Sequence, residues 1–168
     1  LDPRNGHVLN VQVGGATQAL LSDRNFARFY GRFQGFVPVA RRDVLILRGE
    51  GGITVANSRD GVPQDFLFRT GGAQSVRGYA YQSLGVKDGS ATVGGRYLAV
   101  LSSEYVHWYE GDWGVAAFFD AGNANDERQL FKMNYGYGLG PRWKSPAGPI
   151  ALDLAYGQSD HRVRLHFA

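Results

Sequence analysis

The sequence predicts an all-β protein whose strands form an antiparallel meander of the type found in transmembrane β-barrels. Apolar and polar residues alternate with a period of two over most of its 168 residues, which is typical of strands with one apolar face. The predicted strands run for about ten residues or more, longer than most soluble strands and suited to a tilted membrane crossing. The 24 glycines and 13% aromatic residues also favour a β protein with close backbone approaches.

Composition excludes several other classes of protein. No run approaches the roughly 18 apolar residues of a spanning helix, and alternation explains why a membrane barrel can have a mean hydropathy of -0.28. The absence of cysteine excludes disulfides and thiolate metal sites. The formal charge of +3 is not gathered into a basic stripe, so we expect no nucleic-acid partner. The chain begins at Leu1 without a visible signal peptide, and we expect it to be a fragment of a longer protein.

About eight strands are predicted, in chain order, over residues 7–21, 25–39, 44–56, 95–109, 112–124, 133–143, 150–157 and 162–168. Turns are predicted at 40–43, 111–112 and 144–149, and a loop at 123–132. The apolar residues expected to face lipid are Phe29, Phe33, Leu45, Leu47, Phe119 and Leu152. The charged residues expected to face the interior are Arg28, Arg32, Arg48, Glu50, Arg142 and Asp153. Trp108, Tyr109, Trp113 and Trp143 lie near strand ends, as an aromatic girdle at the membrane interface requires.

A long connection at 58–95 interrupts the meander. Its stretch GGAQSVRGYAYQSLGVKD, residues 71 to 88, does not alternate. Connections of this length are uncommon in compact β chains and tend to be functional. If this loop enters a barrel, the guanidinium of Arg77 leaves bulk water and needs carboxylate partners. The acids on the predicted inward faces of the next two strands are Glu104 and Asp120.

Three motifs in order along the chain resemble the BamA/TamA superfamily of outer-membrane assembly and secretion barrels. They are VRGYAYQSLG, FFDAGN and RWKSPAGPIALDLAYG, and the segment SSEY is similar to a strand of TamA relatives. The resemblance covers essentially the whole chain and is closest to the TamA branch. It implies that residues 1–168 form the C-terminal half of a 16-stranded barrel. The missing half and the periplasmic POTRA modules would precede it.

The resemblance also assigns the candidate site residues. Val76, Arg77, Gly78 and Tyr79 form the motif at the tip of a loop that folds into the barrel lumen. Glu104 and Asp120 are the strand acids that hold its arginine. Val163, Leu165 and Phe167 belong to the final strand, which forms a weakly paired seam with the first strand of the barrel. No catalytic residue, metal ligand or cofactor is expected.

The function that the resemblance implies is that of a non-enzymatic insertase. The seam opens laterally, and a client strand adds to the exposed edge. The implied partners are outer-membrane lipid and lipopolysaccharide, unfolded outer-membrane protein clients such as autotransporter-like barrels, and a TamB-like protein spanning the periplasm. The implied location is the outer membrane of a Gram-negative bacterium.

Two alternatives remain open from the sequence. Within the superfamily, the chain could belong to a two-partner secretion pore or a BamA-type assembly protein. Outside it, the chain could be a complete eight-stranded adhesin or ligand-binding barrel. Enzyme classes find little support, because there is no Gly-x-Ser-x-Gly motif and the four histidines lack metal-ligand spacing.

Overall fold

The computed structural model describes residues 4–17, 25–128 and 131–168. Ten strands and no α-helix are found in these ranges. In chain order they are β1 (Gly6–Ala16), β2 (Phe26–Ala40), β3 (Asp43–Val55), β4 (Val86–Asp88), β5 (Ala91–Val93), β6 (Tyr97–Trp108), β7 (Trp113–Asn125), β8 (Asn134–Ser145), β9 (Gly148–Gly157) and β10 (Arg162–Phe167). No helix in these ranges is long and apolar enough to cross a membrane.

Eight of the strands form one antiparallel sheet in the order β1-β2-β3-β6-β7-β8-β9-β10. Each of these eight strands pairs with the next of the eight along the chain, which confirms the predicted meander. Within the described ranges β1 and β10 do not pair with each other, so the sheet does not close. The alternative of a complete eight-stranded barrel requires that pairing and is not what the structure shows.

The two faces of the sheet differ as the alternation predicts. On the outer face, large apolar side chains are exposed, among them Phe29, Phe33, Leu47, Phe119 and Leu152. Leu45, expected on the same face, is half-buried. On the opposite face, Asp153 and Arg142 are buried and Arg48 and Glu50 are mostly covered. We call this the inner face, because the segment 56–96 packs on it. The continuous apolar outer face is typical of contact with lipid.

Several boundaries differ from the sequence prediction. β1 ends at Ala16, and the predicted continuation to residue 21 runs into positions outside the described ranges. β7 extends to Asn125, into the predicted loop at 123–132. The predicted turn at 144–149 shrinks to two residues between β8 and β9, because the strands pair up to Ser145 and Gly148. The predicted loop at 58–95 contains a short hairpin of β4 and β5 and a 3-10 turn at Gln64–Phe66.

The aromatic girdle is only partly as predicted. Tyr109 and Trp113 are each 54% exposed, and Trp113 stacks on Trp143 with ring centroids 5.5 Å apart. Trp108 instead points to the inner face, where it is 6% exposed and lies under the ammonium group of Lys144. Its position follows from the period of two, since Leu98, Val100 and Val106 on the same side of β6 are also buried.

Candidate functional site

The segment 56–96 is anchored to the inner face at several points. The backbone of Thr54 bonds Arg96, and Phe68 and Thr70 form isolated bridges with Gly95 and Leu84 within the segment. A cluster of buried apolar side chains joins the segment to β6 and β7; its members are Phe68, Val76, Tyr79, Leu84, Leu98, Val100 and Ala124. Burial of apolar surface is therefore one of the forces that hold the segment in place.

Arg77 is the most deeply placed charged residue of the segment, with only 2% of its surface exposed. Its Nε lies 2.7 Å from Oδ2 of Asp120, and its Nη2 lies 3.0 Å from Oδ1 of the same carboxylate. The backbone N–H of Arg77 also donates to Oδ2. Asp120 is fully buried. A two-pronged, charge-assisted contact of this kind is stronger and more directional than a bond between neutral groups.

Two further acids bind the same guanidinium. Nη1 of Arg77 donates to Glu104 at 2.5 Å and to Asp153 at 3.1 Å. The two acids also share Arg142, which donates to Glu104 at 2.8 Å and to Asp153 at 2.6 Å. Arg48 lies 3.9 Å from Glu104. Three arginines and three carboxylates therefore balance in charge, which lowers the electrostatic cost of burying each member.

The balance is reflected in the pKa of Arg77. Burial alone would lower the pKa of its guanidinium, but hydrogen bonding to Asp120 and the charges of Asp120 and Glu104 outweigh burial. The pKa is therefore raised above its ordinary value, and Arg77 stays charged. The Phe118 ring completes the enclosure, with its centroid 3.5 Å from the Cζ of Arg77. A cation over an aromatic face gains additional electrostatic attraction.

Glycines let the backbone of the segment touch the sheet. A Cβ at Gly136 in β8 would overlap the carbonyl oxygen of Arg77, so no larger residue fits there without displacing the segment. Gly78 has a φ of +91° and lies so close to β9 that a Cβ on it would come within 2.7 Å of the Gly157 nitrogen. Both the conformation and the space favour glycine at position 78.

The terminal strand β10 also reaches the motif. The N–H of Gly78 donates to Nε2 of His166 at 2.9 Å, and the guanidinium of Arg164 donates to the Gly78 carbonyl. Beside them, the Tyr79 hydroxyl donates to the carbonyl of Tyr135 and accepts from the backbone N–H of Ser159. The motif is therefore bonded to β8, β10 and the turn before β10.

The structure brings together Arg77, Glu104 and Asp120, the three charged residues singled out from the sequence. It adds Asp153 and Phe118 around the same guanidinium, Arg142 on the acids Glu104 and Asp153, and Arg164 and His166 on the backbone of Gly78. The sequence predicts Asp153 and Arg142 only as interior residues. The alternation in 162–168 places Arg164 and His166 opposite Val163, Leu165 and Phe167, and this is the sequence signal for their inward direction. Those three apolar residues are 60%, 67% and 70% exposed.

In the described ranges, no group of three or more histidine or acidic side chains is arranged to hold a metal ion. The three carboxylates at the centre of the site are already occupied by arginine donors. The arrangement has the chemistry of a buried network of ion pairs that fixes the position of the segment on the sheet.

Comparison with known proteins gives consistent matches. The family model described as the Omp85 superfamily domain matches residues 1–168. The chain is 32% identical over 143 residues to the outer membrane protein assembly factor BamA of Nitratidesulfovibrio vulgaris, which is 80% of this chain and 18% of that protein. The crystal structure of BamA from Haemophilus ducreyi lacking POTRA domains 1-3 matches with a TM-score of 0.80 at 19% identity, over 98% of this chain and 38% of that one. The chain thus spans less than two fifths of the length of either relative.

Proposed function

Because this chain belongs to the Omp85 superfamily of Gram-negative outer-membrane proteins, we propose that it is the C-terminal half of a barrel that assembles other outer-membrane proteins. In this proposal the protein works without enzymatic chemistry. It offers a backbone edge to a client strand and returns to its closed form when the client leaves. The name of the Nitratidesulfovibrio vulgaris relative, an assembly factor, supports this class of function.

The observation that carries the proposal is the hydrogen-bonding direction of the terminal strand. Ala168 and Ala151 exchange both backbone hydrogen bonds, at 2.8 and 3.0 Å. In an antiparallel ladder such pairs alternate with pairs whose backbone groups point away. The N–H and C=O groups of Val163, Leu165 and Phe167 therefore point away from β9, toward an edge that no described strand covers. An edge of this kind is a template for strand addition.

The side chains of the same three residues suit a membrane location. They are exposed on the outer face, where lipid would surround them. A client strand that added to this edge would have its own apolar side chains in the bilayer and its backbone groups paired. Both conditions must hold for a strand in lipid. Its outward side chains must be apolar, and its backbone groups must be paired because unpaired ones are costly there.

In the proposal, the segment 56–96 is a lumen-inserted loop and the motif Val76–Tyr79 is its anchor. The balanced charges around Arg77 support this role, since the contacts link the loop to β6, β7 and β9 at once. A loop held in this way stabilises the arrangement of these three strands while the edge strand exchanges partners.

A proline substitution tests the edge directly. Leu165→Pro in the full-length protein removes a backbone donor that points away from β9, so the β9–β10 pairing stays intact. We expect the variant barrel to fold and client assembly to fall about fivefold or more, the equivalent of about one backbone hydrogen bond. The measurement is the rate at which newly made client barrels become folded in the membrane.

Leu165→Ala is the matched control, because it shortens the same side chain and keeps the backbone donor. Its expected assembly rate is near that of the native protein. Folding of each variant is followed by its resistance to dissociation in unheated detergent. A folded Leu165→Pro barrel that assembles clients at the native rate would contradict the edge-templating proposal.

The branch of the superfamily determines the partner. The motifs VRGYAYQSLG and SSEY support a TamA-type protein with autotransporter-like clients and a TamB-like partner, whereas both named relatives are BamA proteins. Purification of the full-length protein from its own membranes separates the two. Recovery of a periplasm-spanning TamB-like protein supports the TamA type, and its absence together with recovery of other periplasmic factors supports the BamA type.

A further inference from the structure

The backbone of Gly78 is hydrogen-bonded through both its N–H and its C=O to side chains of the terminal strand. His166 accepts a hydrogen bond from its N–H at 2.9 Å, and Arg164 donates to its carbonyl oxygen. The two side chains come from alternate positions of β10 and so lie on the same, inner face. They are separated in sequence from Gly78 by 88 and 86 positions.

Glycine at position 78 makes these two hydrogen bonds possible. With a φ of +91° and no Cβ, the Gly78 backbone lies against Tyr156 and Gly157 of β9, and its polar groups reach the neighbouring strand. The adjacent residue, Arg77, is fixed by its three acids. The backbone of Gly78 is therefore held in a fixed position, where side chains of β10 can hydrogen-bond to it.

β10 has few other attachments. It has six residues and, in the part of the chain that the structure describes, it pairs only with β9. Its outward side chains are largely exposed. Arg164 is itself oriented by Asp160, 2.6 Å away, in the turn before β10. The contacts to Gly78 are thus a large part of what holds this short strand on its inner side.

We infer that Arg164 and His166 form a clasp that ties the terminal strand β10 to the inserted loop through the backbone of Gly78, so that release of the strand loosens the loop and release of the loop loosens the strand. Both residues are positioning residues. If the proposed function holds, on which this consequence rests, the clasp couples the pairing of the β10 edge to the position of the inserted loop. Such coupling is reciprocal, because a free energy that links two elements acts equally in both directions.

The test uses a buried reporter beside Arg77. Val76 is fully buried, and Val76→Cys in a cysteine-free background of the full-length protein reacts with a maleimide only when the motif leaves its place. His166→Phe keeps the size of the ring and removes the acceptor. We expect it to raise the labelling rate of the cysteine about fivefold, and Arg164→Met to raise it about tenfold because the lost bond involves a charged donor.

Two controls separate a clasp from general support. His166→Gln keeps an acceptor at a similar reach, and its labelling rate is expected to stay within about twofold of the native rate. A second reporter, Ala116→Cys, is 1% exposed in a different buried cluster and reports loosening of the sheet itself. An unchanged rate at position 76 in His166→Phe, or an equal rise at both reporters, would overturn the inference.

The reverse direction is measured on the strand. Asp120→Asn weakens the hold on Arg77 without touching β10, and the backbone amides of β10 that bond β9 are expected to exchange hydrogen about fivefold faster or more. Unchanged exchange in β10 would overturn the reciprocal coupling. No client is present in either assay, so failure of the assembly proposal would leave these results standing, and failure of the clasp would leave the Leu165→Pro result standing.

Discussion

At the scale of single residues, the position of the loop depends on how Arg77 is neutralised. Its guanidinium is 2% exposed and meets three carboxylates, one of them fully buried. Removing one partner of a buried ion pair is costly because the remaining charges stay withdrawn from water. The contacts also cross strands that are far apart in sequence. Loss of one of these contacts is therefore expected to loosen the loop.

Arg77→Ala is expected to free the loop and leave the strands paired. The loss of a buried partner costs about 3–5 kcal/mol, and the segment 56–96 becomes sensitive to protease added to the membrane. Arg77→Lys is expected to restore protection only in part, since an ammonium cannot make the two-pronged contact with Asp120. Equal protection of the Arg77→Ala and native loops would show that apolar packing alone holds the segment.

Gly136→Ala is expected to expel the motif by steric overlap with the Arg77 carbonyl. The change adds one methyl group, so any effect on the loop reports space rather than charge. Gly51→Ala is the control, because a Cβ there meets nothing within 4 Å. We expect Cys labelling at position 76 to rise in Gly136→Ala and to stay native in Gly51→Ala. Equal labelling in both would mean that the segment can shift at little cost.

The sequence predicts part of this site and misses the rest for a physical reason. The period of two places Glu104 and Asp120 on the inner face, where an inserted arginine would need acids, and the resemblance to the superfamily singles them out from the other inward acids. Asp153, Arg164 and His166 are inward by the same period. Their contacts with the motif depend on how far along the strands the loop reaches. Alternation predicts which face of the sheet a side chain lies on, but not which position along the strand the loop contacts.

At the scale of secondary-structure elements, the strands of the sheet are predictable from the sequence and the segment between β3 and β6 is not. The strands alternate because one face meets lipid and the other the interior. The hairpin of β4 and β5 has only three residues in each strand, too few for a periodic pattern. β6 carries apolar residues on both faces because the segment covers its inner side with Phe68, Val76 and Leu84.

The direction of β2 can be tested with a charge on each face. Phe33 is 42% exposed on the outer face, and Phe33→Arg is expected to lower the free energy of unfolding in bilayers by about 2–4 kcal/mol. Gln34→Glu puts a charge on the inner face opposite Arg48 and is expected to cost less than about 0.5 kcal/mol. Similar costs for both changes would contradict the assignment of the outer face to lipid.

At the scale of the whole molecule, the sheet has two ends that do not meet within the described ranges. β1 is exposed along most of its length, and β10 presents the backbone of three residues away from β9. The chain matches a structure more than twice its length with a TM-score of 0.80. These features support a half barrel completed by further strands, with β10 at the proposed seam.

The most direct measurement of the central claim is a reversible lock on that seam. Leu165→Cys in the full-length protein, joined by a disulfide to a cysteine on the strand that faces β10, fixes the edge; residues 1–168 contain no cysteine that would compete. We predict that assembly of client barrels stops in the oxidised protein and returns to the native rate on reduction, while either single cysteine alone has no effect. Assembly at the native rate with the disulfide intact would contradict lateral opening at β10.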